Sequence, residues 1–355
     1  VENETYINVW DYQDPRFPFQ IFTGGRGTGK TYSALGGCLD LADFQRPEPR
    51  GRFVLMRRTQ NELDVISDGK SGDGMNPFKQ LNADHGRNVG MVPIKQKISG
   101  IYNRVVDDDN VSKPQGAAIG YGVALSTIGT IRGIDLQDCT DIVYDEFIPE
   151  EHVRGIKGEF NALMNAYETM NRNREFNGLP AMRLFMLSNA NTLDNDIFIG
   201  LGIVADVERM KACNKVHKYY PERGLAIHML PPSEAFREKK SKTMLYRLTK
   251  GTSFYDMALN NDFAFDDFSH IEHRSLKGYV PFCSYGPAFI YRKKGSPEYY
   301  VSYARAKCPA FDPKIPSDVL FFQRDFGVHL HDPYVYGQIT FESYALKSIL
   351  LDLIV

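Results

Sequence analysis

A chain of 355 residues can bury at least one large core, and its length favours two domains. With 43% hydrophobic and 24% charged residues it has the make-up of an ordinary soluble globular protein, and a formal net charge of −2 excludes a global polycation, so any nucleic-acid contact has to come from local patches or from a ring of subunits. The five cysteines (Cys38, Cys139, Cys213, Cys283 and Cys308) form no C-x-x-C pair, which argues against a disulfide framework or a zinc site and for a reducing interior.

The longest weakly polar run, residues 117–129, is too short and too interrupted to span a bilayer, and Val1-Glu2-Asn3-Glu4 does not begin a secretory signal. A soluble intracellular protein is expected. Val1 and the apolar stretch 349–355 both read as trimmed ends.

In chain order, residues 17–22 read as a short buried strand. They lead into Gly24-Gly25-Arg26-Gly27-Thr28-Gly29-Lys30-Thr31, where Gly24, Gly29, Lys30 and Thr31 complete the phosphate-loop pattern. Ala34, Leu35, Leu39 and Leu41 then mark a helix over 32–41, so the loop has its strand-to-helix context. Glycines let backbone N–H groups converge on phosphate oxygens, the helix N-terminus adds positive potential, Lys30 reaches the β- and γ-phosphates, and Thr31 binds Mg²⁺. A plain Gly-rich turn is the competing reading.

Strands are expected over 52–56, 140–144 and 182–187, a flexible excursion over 68–74, and a hairpin over 92–106 turning at Ser99-Gly100. The alternation of strands with helices predicts an α/β domain with a mostly parallel sheet. Over 159–172, Phe160, Leu163, Met164, Tyr167 and Met170 share one helical face, which packs on the sheet and carries Arg172 to the exposed end.

Ile142-Val143-Tyr144-Asp145-Glu146 is an apolar strand ending in two carboxylates, about 115 residues beyond Lys30. Asp145 at such a strand end comes beside the Mg²⁺ held by Thr31, and Glu146 polarises the attacking water, which implies hydrolysis rather than transfer to a bound acceptor. The competing reading is a solvated turn. The strand 183–187 ends in Ser188-Asn189-Ala190-Asn191, where Asn189 is placed to sense the γ-phosphate and the alternative is a cap for a helix near Leu193. Arg172 and Arg174 suit either transition-state stabilisation in a neighbouring subunit or compensation of the helix dipole.

Beyond Asn191 the chain is mixed and poorly patterned to about Leu230, Pro231-Pro232 punctuates it, and residues 233–249 read as a basic, solvated helix. From 278 to 304 three short runs broken at Gly286-Pro287 and Gly295-Ser296-Pro297 read as an antiparallel meander, hence a second domain of α+β type. No internal repeat or low-complexity tract is present.

Gly25 to Thr31, Met56-Arg57-Arg58, Val143-Tyr144-Asp145-Glu146-Phe147-Ile148, Asn171-Arg172-Asn173-Arg174-Glu175 and Leu187-Ser188-Asn189-Ala190, with Ile131-Arg132-Gly133, together resemble the genome-packaging ATPases of small tailed phages of the Picovirinae type, which are distant relatives of large terminase subunits. The resemblance covers residues 17–195 strongly and the rest by layout. It implies an additional-strand (ASCE) P-loop ATPase domain over 1–195, a linker or lid over 196–232, and a vestigial ribonuclease H-like nuclease domain over 233–355.

By the same resemblance the protein is a homo-oligomeric ring, expected as a pentamer, on the portal of a procapsid. It pumps double-stranded DNA inward with ATP and Mg²⁺, with a packaging RNA as a further partner and no membrane. Its place is the host cytoplasm and the procapsid, not the mature virion. Gly24 to Lys30 hold the phosphates, Thr31 and Asp145 the metal, Glu146 activates water, and Arg172 is the finger given in trans, with Arg174 second. Arg26 points to phosphate or to the subunit interface, and Arg57 and Arg58 either couple nucleotide state to motion or face the DNA.

Terminase nucleases carry a metal-binding Asp on their first strand, and the corresponding segment here, 279–285, has no carboxylate, while Asp262, Asp266 and Asp267 crowd into one loop. Two-metal cleavage needs carboxylates converging from separate elements on ions about 3.5–4 Å apart, so a non-cleaving domain is expected. Arg292-Lys293-Lys294 and Lys239-Lys240-Lys242 are the local basic clusters, each also readable as a solvated surface. The alternatives are a terminase with an active nuclease, another ring-shaped DNA translocase or helicase, and a nucleotide switch that does not hydrolyse.

Overall fold

The computed structural model describes residues 5–42, 51–67, 75–95, 97–106, 112–130, 136–150, 153, 155–252, 254–255, 259 and 266–354. The excursion 68–74, Ile131-Arg132-Gly133 and Asp262 lie outside these residues. Two units are distinguished, Val1–Gly200 with Asn214–Phe265, and Leu201–Cys213 with Asp266–Val355. This division departs from the expected boundaries: residues 233–265 cluster with the first unit, and 201–213 with the second.

The first unit is built on strands β1 (Phe19–Gly24), β2 (Arg52–Arg57), β3 (Val89–Lys95), β4 (Ile98–Val106), β5 (Ser112–Ala124), β6 (Cys139–Asp145), β7 (Arg183–Asn189), β8 (His217–Tyr220) and β9 (Leu225–Leu230). They form one sheet in the order β3-β4-β5-β2-β6-β7-β1-β9-β8. Its centre, from β5 to β9, is parallel, and β3, β4 and β8 add antiparallel edges. Central strands such as β6 and β7 are almost continuously buried, as strands covered on both faces must be.

The strand β7 lies between β6 and β1, with Gly24 paired to Asn189 and Asp145 to Leu187. One inserted strand between the phosphate-loop strand and the carboxylate strand is the additional-strand P-loop topology expected from the sequence. The carboxyl ends of these strands therefore open at one edge of the sheet, where ligands of α/β folds bind.

Helices α1 (Lys30–Leu41), α2 (Gln60–Ser67), α3 (Lys79–His85), α4 (Glu159–Asn171) and α5 (Asp196–Leu201) accompany the sheet. Phe22, Leu35, Leu39, Phe53, Leu55, Val143, Phe185 and Leu187 join one buried cluster. Trp10 packs against it, with its indole N–H donating to the Ser33 carbonyl at 2.9 Å and its ring 5.1 Å from that of Phe185. A Cβ at Gly37 would collide with the Trp10 ring, which explains a glycine inside α1 despite its cost in a helix.

Three sequence expectations are corrected. The hairpin closes between Lys95 and Ile98, not at Ser99-Gly100, with Lys97 in the left-handed region at φ 74°; Gly100 sits within β4 beneath the Tyr102 ring. The stretch read as poorly patterned contains β9, which pairs parallel to β1 and is buried throughout, so it shows no alternation. The basic helix 233–249 is two helices, α7 (Glu234–Ser241) and α8 (Met244–Leu248), preceded in chain order by α6 (Val204–Ala212) of the second unit.

The second unit carries the expected meander as β10 (Tyr279–Tyr285), β11 (Ala288–Lys293) and β12 (Tyr299–Ser302), joined by β13 (Ala310–Phe311) and β14 (Ile339–Phe341) in the order β13-β10-β11-β12-β14. Helices α9 (Pro316–Phe322), α10 (Val328–Val335) and α11 (Tyr344–Ile354) complete it. Cys283, Ile290, Val301, Phe322, Leu330, Phe341 and Leu350 are among its core.

Candidate nucleotide site

The chain leaves β1 at Gly24 and enters α1 at Lys30, and the turn between needs glycine twice. Gly27 has φ 72° and Gly29, the N-cap, φ 99°, both in the left-handed region. Gly29 has no side chain to cap the helix, so the first-turn N–H groups of α1 are left for a ligand. At Gly24 a Cβ would come within 2.9 Å of the Leu230 carbonyl, so β9 fixes the start of the loop.

Lys30 is 6% exposed, and its ammonium donates to the carbonyls of Gly24 at 3.1 Å and Gly25 at 2.9 Å. Burial lowers its pKa to about 8, against the opposing pull of Asp145 and Glu146. A buried cation whose charged form is penalised by burial, at the bottom of a glycine loop, fits an anion that would favour its charge. Beside it the Thr31 hydroxyl donates to Asp145 Oδ1 at 2.8 Å. Burial pushes the Asp145 carboxyl up, while Arg57, Thr31 and Lys30 pull it back.

Arg57, at the end of β2, donates to Asp145 Oδ2 at 2.8 Å and to Glu146 Oε2 at 2.7 Å. Glu146 sits just past β6 with φ 55°, an unfavourable value for a non-glycine residue, and its side chain is 57% exposed. Arg26, inside the loop, pairs with Glu150. Arg26 to Ser33, Asp145, Glu146, Ser188 and Asn189 are among the residues that line a cleft of about 1390 Å³.

The model of the podovirus DNA encapsidation protein (Gp16) family matches residues 108–293, more than half of the chain. The chain belongs to the podovirus DNA encapsidation protein family. It is 34% identical over 254 residues to the DNA packaging protein of Bacillus phage B103, an alignment covering 71% of this chain and 66% of that protein. To the DNA packaging protein of Bacillus phage phi29 it is 32% identical over 254 residues, covering 71% of this chain and 64% of the relative. The chain thus spans just under two thirds of the length of these relatives. Among solved structures, the bacteriophage Phi-29 viral genome packaging motor assembly has a TM-score of 0.63 at 21% identity, covering 98% of each chain. The Phi-28 gp11 DNA packaging motor has a TM-score of 0.59 at 22% identity, covering 99% of this chain and 98% of that one. At these identities the two structures establish a shared fold.

In this encapsidation-family chain the phosphate loop, Asp145, Glu146 and Asn189 come together at one cleft, and Arg172 does not line it. Arg172 ends α4 with φ 45°, half-buried, its Nε donating to the Thr169 carbonyl at 3.3 Å. Arg174 is not available as a second finger: it is buried, and its guanidinium donates to the carbonyls of Pro180, Gln137 and Cys139.

Ser188 and Asn191 do not cap a helix near Leu193. The Ser188 hydroxyl accepts from the Ile148 N–H, and the Asn191 amide donates to the Ile148 and Pro149 carbonyls, so both pin the chain that follows Glu146.

Arg58 neither faces DNA nor reaches the cleft. It is 1% exposed and forks onto Glu159 with two bonds of 2.9 Å, and the Tyr144 hydroxyl donates to the same carboxylate at 2.5 Å. Sequence reasoning left the Arg57-Arg58 pair undivided. The signal was strand alternation, which sends neighbouring side chains to opposite faces. The Arg26–Glu150 pair, 124 residues apart, had no signal in the sequence.

Proposed function

We propose that this chain is an ATP hydrolase that drives double-stranded viral DNA into a preformed procapsid, working as a homo-oligomeric ring on the portal. The observation that carries the nucleotide half of this reading is the Thr31–Asp145 hydrogen bond of 2.8 Å, which joins the phosphate loop to the carboxylate strand at one cleft. Membership of the DNA encapsidation family supports the packaging half.

The donor set suits Mg²⁺, since a hydroxyl and a carboxylate oxygen are hard ligands. Thr31 and Asp145 would hold the ion, which when bound supplies charge neutralisation to the phosphates. Lys30 and the loop N–H groups bind the phosphate chain. Glu146 accepts the proton of the attacking water, for which its carboxylate has to leave Arg57. Asn189, paired with Gly24 at the end of the inserted strand, senses the γ-phosphate side of the site. Arg172 lies outside its own cleft and serves the cleft of a neighbouring subunit, where a guanidinium stabilises transition-state charge.

The second unit does not cleave DNA in this reading. Asp266 accepts the Tyr344 hydroxyl at 2.7 Å, and Asp267 pairs with the buried Lys347 at 2.7 Å, so both carboxylates are committed to holding α11. The ring takes five subunits, acts in the host cytoplasm docked on the procapsid, uses a packaging RNA as a partner, and leaves before the virion matures. The test is protection of double-stranded DNA from added nuclease on mixing the protein with portal-bearing procapsids, ATP and Mg²⁺. Protection lost in Lys30→Ala supports the motor; unwinding stimulated by free single strands, with no protection, would replace it with a helicase.

A further inference from the structure

A second lysine, outside the phosphate-loop pattern, stands over the loop. The Lys240 ammonium lies 3.1 Å from where a Cβ on Gly27 would be placed. It comes from α7, with its ammonium 5.4 Å from the Phe236 ring centroid and 5.6 Å from that of Tyr246. Among the described residues no carboxylate pairs with it. Arg26, the other cation at this turn, is already engaged by Glu150.

The placement of α7 is anchored at several points. The Ser233 hydroxyl caps the helix by accepting from the Phe236 N–H at 3.2 Å, and donates to the Thr5 carbonyl at 3.0 Å. Tyr6 meets the Phe236 ring edge-on at 6.0 Å, and the next residue, Ile7, donates its N–H to the Thr28 carbonyl at 2.8 Å. Segment 5–7 therefore fastens α7 to the phosphate loop itself. A cation held between two rings and aimed at a loop glycine has its electrostatic partner still to come, and a polyphosphate on the loop supplies it.

We propose that Lys240 binds the phosphate chain of a nucleoside triphosphate held in its own subunit and makes the site prefer triphosphate over diphosphate. This rests on the nucleotide-site reading above. The added charge of a terminal phosphate is what a cation reaching in from outside the loop can distinguish, because Lys30 and the α1 N-terminus already serve the phosphates from within.

Binding of a fluorescent non-hydrolysable ATP analogue and of ADP, each with Mg²⁺, tests this in Lys240→Met and Lys240→Arg. Methionine keeps the aliphatic stem between the rings and loses the charge. The expected result is a loss of about tenfold in affinity for the triphosphate, under about twofold for ADP, and near-normal binding in Lys240→Arg. Equal losses for both nucleotides would mean that Lys240 only props α7, and unchanged binding in Lys240→Met, or an Arg variant as weak as the Met variant, would also overturn the proposal. If the wild type binds neither nucleotide, or Lys30→Ala binds like the wild type, the nucleotide site itself falls and Lys240 with it.

Discussion

Arg57 holds Glu146 at 2.7 Å with one nitrogen of the guanidinium whose other terminal nitrogen holds Asp145 at 2.8 Å. The residue proposed to take a proton and the residue proposed to hold the metal thus share one counterion. A carboxylate oxygen held by a guanidinium has to give up that bond before it can take a proton from water.

Replacing Arg57 with Met is expected to act twice. At pH 8 the freed Glu146 raises basal ATP turnover. On the acid side, Asp145 loses the main charge that offsets its burial, so its carboxyl is pushed further up and must still be ionised to work. The acid limb of the turnover profile therefore shifts to higher pH, and a limb that stays in place would remove Asp145 from the metal role.

Glu146→Gln is expected to bind ATP and to lose hydrolysis by about 10²–10⁴-fold, the usual contribution of a positioned base. Normal turnover would take Glu146 out of the reaction.

Lys30 gives a stability prediction with a definite sign. Its folded pKa of about 8 lies below the ordinary 10.5, so between those values the unfolded chain binds more protons and stability rises with pH. Below pH 8 the burial penalty is fully present, at most roughly 3 kcal/mol. Lys30→Met should therefore melt above the nucleotide-free wild type at pH 7, converge with it as pH rises towards 10.5, and show no nucleotide-induced shift. A Met variant less stable than the wild type at pH 7 would contradict the burial argument.

Arg172→Ala subunits mixed with Glu146→Gln subunits are expected to recover part of the ATPase activity, because some neighbouring pairs regain an intact site. No recovery at any mixing ratio would remove the role in trans and leave Arg172 as a residue that ends α4 within its own chain.

Arg58→Ala strands the Glu159 carboxylate beside Tyr144, and breaking a buried pair from one side costs about 3–5 kcal/mol. Denaturant unfolding should show the midpoint falling by that equivalent. An unchanged midpoint would mean that water reaches Glu159.

Much of the site was legible because its chemistry is written locally. Gly24 to Thr31 carries its own loop geometry, and Asp145-Glu146 ends a strand too apolar to be anything but central. What stayed hidden depended on pairing across the chain. Whether Arg57 or Arg58 reaches Asp145 is set by the register of β2 against β6, and β9 gives no signal because a strand buried on both faces has no alternation to read. The hairpin turn is not legible at its true place because Lys97 takes a backbone angle that glycine usually takes. Lys240 looked like one more solvated base on a polar helix, and only the return of α7 to the loop sets it apart.

Two prolines, Pro231 and Pro232, are all that separate the end of β9 from the Ser233 cap of α7. Each fixes its own φ, so the joint has almost no torsional slack. Because β9 also abuts Gly24, the start of α7 is tied to the start of the phosphate loop through a short joint with few free torsions, a stiff rod rather than a string.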